Sequence, residues 1–288
     1  MEKFDLLVKN GLLIDPANNK MGRFDIGLAD GRVAAVDADL PSEWAQEIYD
    51  AASKLVLPGL VDVHVHLTPH IWATGFQMLA RTGVTCGLEC TGWVNDVVAA
   101  MEQGGSGISV AALNRLDPGV TISGSDAKKK ELAEYLDRSL DDGAFGFKLL
   151  GGHLPLSPET ISAAIELANA AKVYVACHCG STRNGSNLYG LQDTMEFAGD
   201  NRILICHTNA YCRGLTHGSP ATESLIALKE LAAHRNVISD SNMGPYNYCE
   251  ARFDGEIIRD QVTQTWLKAG GFEPNREGLL AAAKTGYM

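Results

Sequence analysis

Past residue 54 the chain settles into a repeating pattern: a short apolar run rich in β-branched residues, then a longer stretch with apolar positions at helical spacing. The runs predict strands at Leu55 to Leu67, Thr82 to Glu89, Gly107 to Leu113, Ala144 to Leu150, Val173 to His178, Ile203 to His207 and Val237 to Asp240. The stretches between them carry helix start signals: Ser157-Pro158 and Ser219-Pro220 each offer a hydroxyl cap followed by proline at the first helical position. Such alternation predicts an α/β chain with a parallel sheet, and at this length a TIM-type (β/α) barrel whose eighth strand is missing. Residues 4 to about 50 read differently. Short strands are predicted at Phe4 to Val8, Gly11 to Ile14, Phe24 to Leu28 and Arg32 to Val36, the last pair joined by an Asp30-Gly31 hairpin turn. The expected organisation is a small β-sandwich appendage over residues 1–54 and a barrel catalytic domain over residues 55–288.

The totals narrow the partners. With 288 residues, 45% of them hydrophobic, the chain can bury a large core. A net charge of −11 disfavours nucleic acid and anionic membrane, both of which need a basic face, and leaves a small molecule as the expected ligand. Seven cysteines without framework spacing read as reduced thiols, and the first residues, Met1-Glu2-Lys3-Phe4-Asp5, are charged where a secretory signal needs an apolar centre. A cytoplasmic homo-oligomer is expected.

The chemistry gathers at the C-terminal strand ends, where barrel enzymes build their sites. The first strand ends on His64-Val65-His66. Side chains on a strand alternate faces, so both imidazoles point one way while Val63, Val65 and Leu67 pack on the other. Lys148 lies in the fourth strand, His178 ends the fifth and His207 the sixth. Each alone reads as a hydrogen-bonded or ion-paired structural residue. Together, four imidazoles at one end of one barrel read as a metal centre. A buried ammonium beside divalent ions is electrostatically unfavourable, whereas a lysine carboxylated by carbon dioxide is an anion able to bridge two metals. A hydroxide shared by such metals would attack a polarised carbonyl.

Other groups are weaker candidates. Asp240 ends the seventh strand, as a general base or simply a solvated loop carboxylate, and Glu89 ends the second, as a base, a ligand or an ion-paired structural group. Loops on the same face offer Arg183 as a clamp for a substrate carboxylate, His153 and Asn209 for substrate contacts, with Asn184 and Tyr211 nearby. Alternation turns Cys177, Cys179 and Cys206 toward the helices, and Cys90 is the thiol best placed to approach the site.

Pro58-Gly59-Leu60-Val61-Asp62-Val63-His64-Val65-His66, with the later lysine and two later histidines and the N-terminal Asp30-Gly31-Arg32-Val33-Ala34-Ala35-Val36, resembles the amidohydrolase superfamily. The resemblance implies that His64 and His66 bind one metal, His178 and His207 a second, with carboxylated Lys148 between them and zinc the foremost metal. Gly83-Val84-Thr85-Cys86-Gly87-Leu88-Glu89, Asp142-Gly143-Ala144-Phe145-Gly146 and Ile205-Cys206-His207-Thr208-Asn209 are similar to the D-aminoacylase and D-glutamate deacylase branch, whereas Phe147-Lys148 looks like the hydantoinase branch. The implied activity is hydrolysis of a non-peptide C–N bond, with N-acyl-D-amino acids as the preferred substrates and cyclic amides, as for hydantoinases or dihydroorotases, the alternative. One departure stands out. Superfamily members carry an aspartate on an eighth strand, and neither that strand nor the strands completing the β-appendage precede Met288, which suggests a truncated chain. A catalytically inactive scaffold relative is the reading that this departure supports.

Overall fold

The computed structural model of the chain describes residues 3–67, 72–241, 253–258, 263–264, 267–268 and 270–285, in two compact units, Met1–Leu60 and Val61–Met288.

In the first unit β1 (Phe4–Asp15) is the spine. It runs antiparallel to β2 (Lys20–Ala29) and parallel to both β4 (Ala45–Asp50) and β5 (Leu55–Val56), and β3 (Arg32–Asp37) flanks β2. The two predicted strands Phe4 to Val8 and Gly11 to Ile14 are one strand interrupted by a bulge, where Asn10 adopts a φ of 66°. The bulge is pinned by Asp25, whose buried carboxylate accepts from the Asn10 and Leu40 N–H groups at 3.0 Å and from Lys9 Nζ at 2.7 Å. Burial opposes ionisation of Asp25, but these donors outweigh it and hold its pKa below the ordinary carboxylate value. Because β1 pairs with β4 along its first half and β5 along its second, the strands join in one five-stranded sheet rather than the two layers of a sandwich. The Asp30-Gly31 turn is as expected, with φ values of 51° and 70° matching the hairpin geometry that favours these residue types.

The expected strand Leu55 to Leu67 is broken. Pro58 cannot donate to a ladder, and at Leu57-Pro58-Gly59 the chain leaves β5 and restarts as β6 (Leu60–Val65). In the second unit strands and helices alternate: α1 (Trp72–Arg81), β7 (Val84–Glu89), α2 (Val94–Gly104), β8 (Ser109–Ala112) and β9 (Asn114–Arg115) as one strand broken at Leu113, then α3 (Lys129–Asp141), β10 (Gly146–Leu150), α4 (Pro158–Ala170), β11 (Tyr174–His178), α5 (Leu188–Ala198), β12 (Ile203–Ile205), α6 (Pro220–Ala233) and β13 (Val237–Ser239). Ser157 and Ser219 cap α4 and α6 as predicted, their side chains accepting from Thr160 N and Thr222 N. The sheet order is β6-β7-β8 and β9-β10-β11-β12-β13, with β7–β8 and all pairs from β9 to β13 parallel. Among the described residues β6 and β13 are free edges, and no closed barrel is seen among them. Val65 and Leu67 pack with Phe76 and Val97, but Val61 and Val63 stay exposed on this edge strand.

Alternation sorts the inner strands into two faces. Phe147, Leu149, Val175, Cys177, Ile203 and Ile205 face the helices, joining Leu132, Ile161, Ile165 and Leu191 in the largest core. Leu88, Cys90, Leu113, Ala176, Leu204 and Cys206 form a separate inner cluster, and Lys148 shares their face by its position in β10. The inner face thus ends on the side chains of the candidate site.

Candidate metal centre

The imidazoles at the strand ends converge. The His64 ring lies 5.0 Å from His66 and 5.2 Å from His207, stacked on the latter, and His178 meets His207 edge-on at 4.6 Å. His153, from the loop after β10, meets the His178 ring at 4.8 Å, so this loop histidine joins the cluster.

Hydrogen bonds decide which nitrogens remain for a metal. His64 Nδ1 lies 2.8 Å from Asp240 Oδ2. An ionised carboxylate only accepts, so Nδ1 carries a proton and Nε2 is the nitrogen left to face a metal. That Nε2 is buried without a hydrogen-bond partner, as is His207 Nδ1. His66 Nδ1 lies 2.9 Å from Thr91 Oγ1, which itself donates to Glu89 Oε1; His66 therefore donates to the hydroxyl and also presents Nε2. Buried lone pairs on clustered imidazoles are the donor set that a divalent metal such as zinc takes.

Electrostatics agree. Burial, reinforced by the positive charges of Lys148 and His64, pushes His207 down to about 3, and burial with neighbouring His207, His153 and Lys148 holds His178 well below its ordinary value. Both rings are neutral donors at neutral pH. Burial also works against a charged His64, but the Asp240 contact and the nearby Cys206 sulfur outweigh it and lift its pKa to about 9, so a metal at Nε2 would displace a proton at neutral pH.

Lys148 is fully buried, and its Nζ donates to Cys206 Sγ at 2.8 Å. This corrects the expectation that Cys206 faces the helices. The strand ends at Ile205, leaving Leu204 and Cys206 inward, and His207 reaches the same side only by turning into the left-handed region at a φ of 36°. Cys177 and Cys179 do lie in the helix-facing core. Cys90 sits in the inner cluster with its thiol pushed up to about 12 by burial. Although burial opposes it, Lys148 and His64 draw the Cys206 thiol below its ordinary value.

No protein-family model matches the chain. A dihydroorotase of Pelotomaculum thermopropionicum is 41% identical over 86 residues, covering 28% of this chain and 20% of that protein. An allantoinase of Bacillus licheniformis is 33% identical over 109 residues, covering 35% and 23%. The structure of N-acyl-D-glutamate deacylase from Bordetella bronchiseptica, complexed with zinc and a phosphonate inhibitor, superposes with a TM-score of 0.63 at 18% identity, over 85% of this chain and 59% of that one. L-hydantoinase from Arthrobacter aurescens gives 0.58 at 19% identity, over 83% and 58%.

The chain shares its fold with these amidohydrolase structures.

This amidohydrolase-fold chain spans about a fifth of the length of the curated relatives it matches and under two thirds of the solved structures. Its structure brings His64, His66, His178, His207 and His153 together, with Lys148 buried on the same inner face. Asp240 also belongs there, bonded to His64 and accepting from the His207 N–H, which displaces its reading as a solvated loop carboxylate. Burial tends to raise the Asp240 pKa, but the His64 contact prevails and keeps it low.

Two candidates have partners that the sequence did not show. Arg183 packs on α5, its Nη1 within 3.4 Å of Asp193 and 3.3 Å of Glu196 and its guanidinium over the Phe197 ring. Glu89 is fully buried and accepts from the N–H groups of Leu67, Thr91 and Gly92 and from the Thr91 hydroxyl. It organises two loops beside His66. Glu89→Gln is expected to lower stability by about 2 kcal/mol through its charge-assisted bonds, measured by urea unfolding. A large fall in turnover at unchanged stability would give it a catalytic role.

Asn209 Oδ1 accepts from Ser241 Oγ at 3.1 Å, in a short helical turn (Thr208–Tyr211) on the rim. Tyr211 is structural: its hydroxyl donates to Cys206 O and accepts from Cys179 N. Asn184 bonds Asp193 through its side-chain amide. Sequence reading missed Thr91 and Ser186, the partners of His66 and His178, because isolated hydroxyls carry no spacing signal.

Proposed function

We propose that this chain hydrolyses an amide C–N bond at a centre of two divalent metal ions, zinc foremost, held by His64, His66, His178 and His207, with N-acyl-D-amino acids as the preferred substrates. The convergence of these rings, with His64 Nε2 and His207 Nδ1 buried and unbonded, carries the reading. Bound there, the metals would activate water and polarise the substrate carbonyl. The chain's own groups supply the rest. Asp240 fixes the His64 tautomer, and its Oδ2 is the carboxylate placed to hold a proton and return it to the departing nitrogen. Thr91, held by Glu89, orients His66. Carboxylated Lys148 would supply a further anionic oxygen donor, which requires it to give up the present contact with Cys206.

Fold similarity to the N-acyl-D-glutamate deacylase supports the linear substrate. The matches to a dihydroorotase and an allantoinase, together with the engagement of Arg183, support a cyclic amide as the second reading. Metal-replete protein assayed on N-acyl-D-amino acids, hydantoin and dihydropyrimidine separates them, with a chelator-treated control. Metal-dependent release of the free D-amino acid is expected. Turnover of the cyclic compounds alone moves the assignment to the second reading, and protein that neither retains metal nor hydrolyses either class is the inactive scaffold.

A further inference from the structure

The inner face of β12 places a thiol where the superfamily resemblance called only for imidazoles and a lysine. One ring nitrogen of His64, the Cys206 Sγ and a carboxylate oxygen of Asp240 lie within 4.8 Å of one another. His64 Nε2 is buried and has no hydrogen-bond partner. Cys206 is itself fully buried, so its sulfur faces this set rather than solvent.

We propose that Cys206 is a metal ligand, its thiolate joining His64 Nε2, while Asp240 holds the other nitrogen of that ring. The inference rests on the metal-centre reading above and adds a ligand to it. A thiolate and an imidazole are both ordinary zinc donors, and soft sulfur selects zinc or cobalt over the harder magnesium or calcium. Lys148 Nζ, 2.8 Å from the sulfur, places positive charge beside it before metal arrives. Coordination displaces the thiol proton to solvent, and no electron is transferred. The arrangement arises because β12 ends at Ile205. Cys206 takes the inward position that follows Leu204, and the left-handed backbone at His207 then returns the next side chain to the same cluster. Two consecutive residues thus serve one centre.

The test is cobalt(II) titration of the metal-free full chain, read by absorption. The native protein is expected to show a thiolate-to-cobalt charge-transfer band in the near ultraviolet beside the visible ligand-field bands. Cys206→Ser should lose the charge-transfer band and bind cobalt at least tenfold more weakly, while Cys90→Ser, which alters the other thiol of the inner cluster, keeps it. A band that persists in Cys206→Ser, or that disappears in Cys90→Ser instead, overturns the proposal. Ligand-field bands without charge transfer in the native protein overturn it and leave the imidazole centre standing, whereas no cobalt uptake at all overturns both. Should Cys206→Ser fail to fold, X-ray absorption of the zinc-loaded native protein and of Cys90→Ser decides. A sulfur scatterer at about 2.3 Å in both is expected, and a shell of nitrogen and oxygen alone in either refutes the assignment.

Discussion

His207→Ala is expected to lower bound metal and to cut amide hydrolysis roughly a thousandfold, about 4 kcal/mol of transition-state stabilisation. The ring is packed between His64 and His178 and leaves Nδ1 buried without a partner, so removal deletes a donor that no described neighbour is bonded to replace. The same position carries a second, opposite expectation. His207 holds a φ of 36°, a region that costs a residue with a Cβ about 1 kcal/mol or more and that glycine enters freely. His207→Gly should therefore lose metal and turnover as His207→Ala does, yet its metal-free form should be about 1 kcal/mol more stable than the alanine variant. Metal analysis, steady-state kinetics and urea unfolding of the metal-free proteins measure all three quantities. Full metal content in either variant removes His207 from the ligand set, and equal stability of the two removes the strain.

Lys148→Met should likewise abolish most activity and reduce the metal count, while leaving the metal-free fold as stable as the native one or more so. The lysine is fully buried, in hydrogen-bond contact with Cys206 and on the same face as Leu88, Ala176 and Leu204. Replacing a buried charged group by an apolar side chain of similar shape spares its desolvation, and gains of about 1–4 kcal/mol are the precedent for buried ion pairs. Lys148→Ala is the contrasting variant: it leaves a cavity and is expected to cost about 2–5 kcal/mol. If Lys148→Met binds two metals and turns over like the native protein, the lysine is no bridge.

These expectations depend on groups that differed in how openly the sequence announced them. His64, His66, Lys148 and His178 were legible because strand alternation is local: once a β-branched run is recognised, the facing of every second residue follows. The caps at Ser157 and Ser219 and the Asp30-Gly31 turn were legible for the same reason, each being written in adjacent residues. Cys206 was misassigned because alternation holds only while the strand lasts, and nothing in Leu204-Ile205-Cys206-His207 announces that it ends at Ile205. The partners of Arg183 were not legible because Asp193 and Glu196 lie on α5, and how that helix docks determines which way its carboxylates face.

What the chain determined by itself was the alternation of strand and helix, the facing of residues within each strand and the inventory of imidazoles at the strand ends, all of them consequences of local backbone geometry. Tertiary structure decided what those groups do. Asp240 reaches His64 across 176 residues of sequence, and Thr91 and Glu89 become the support of His66, through contacts between strand ends and loops that no local pattern encodes. A carboxylate's role depends on which donors meet it, and that is a property of packing.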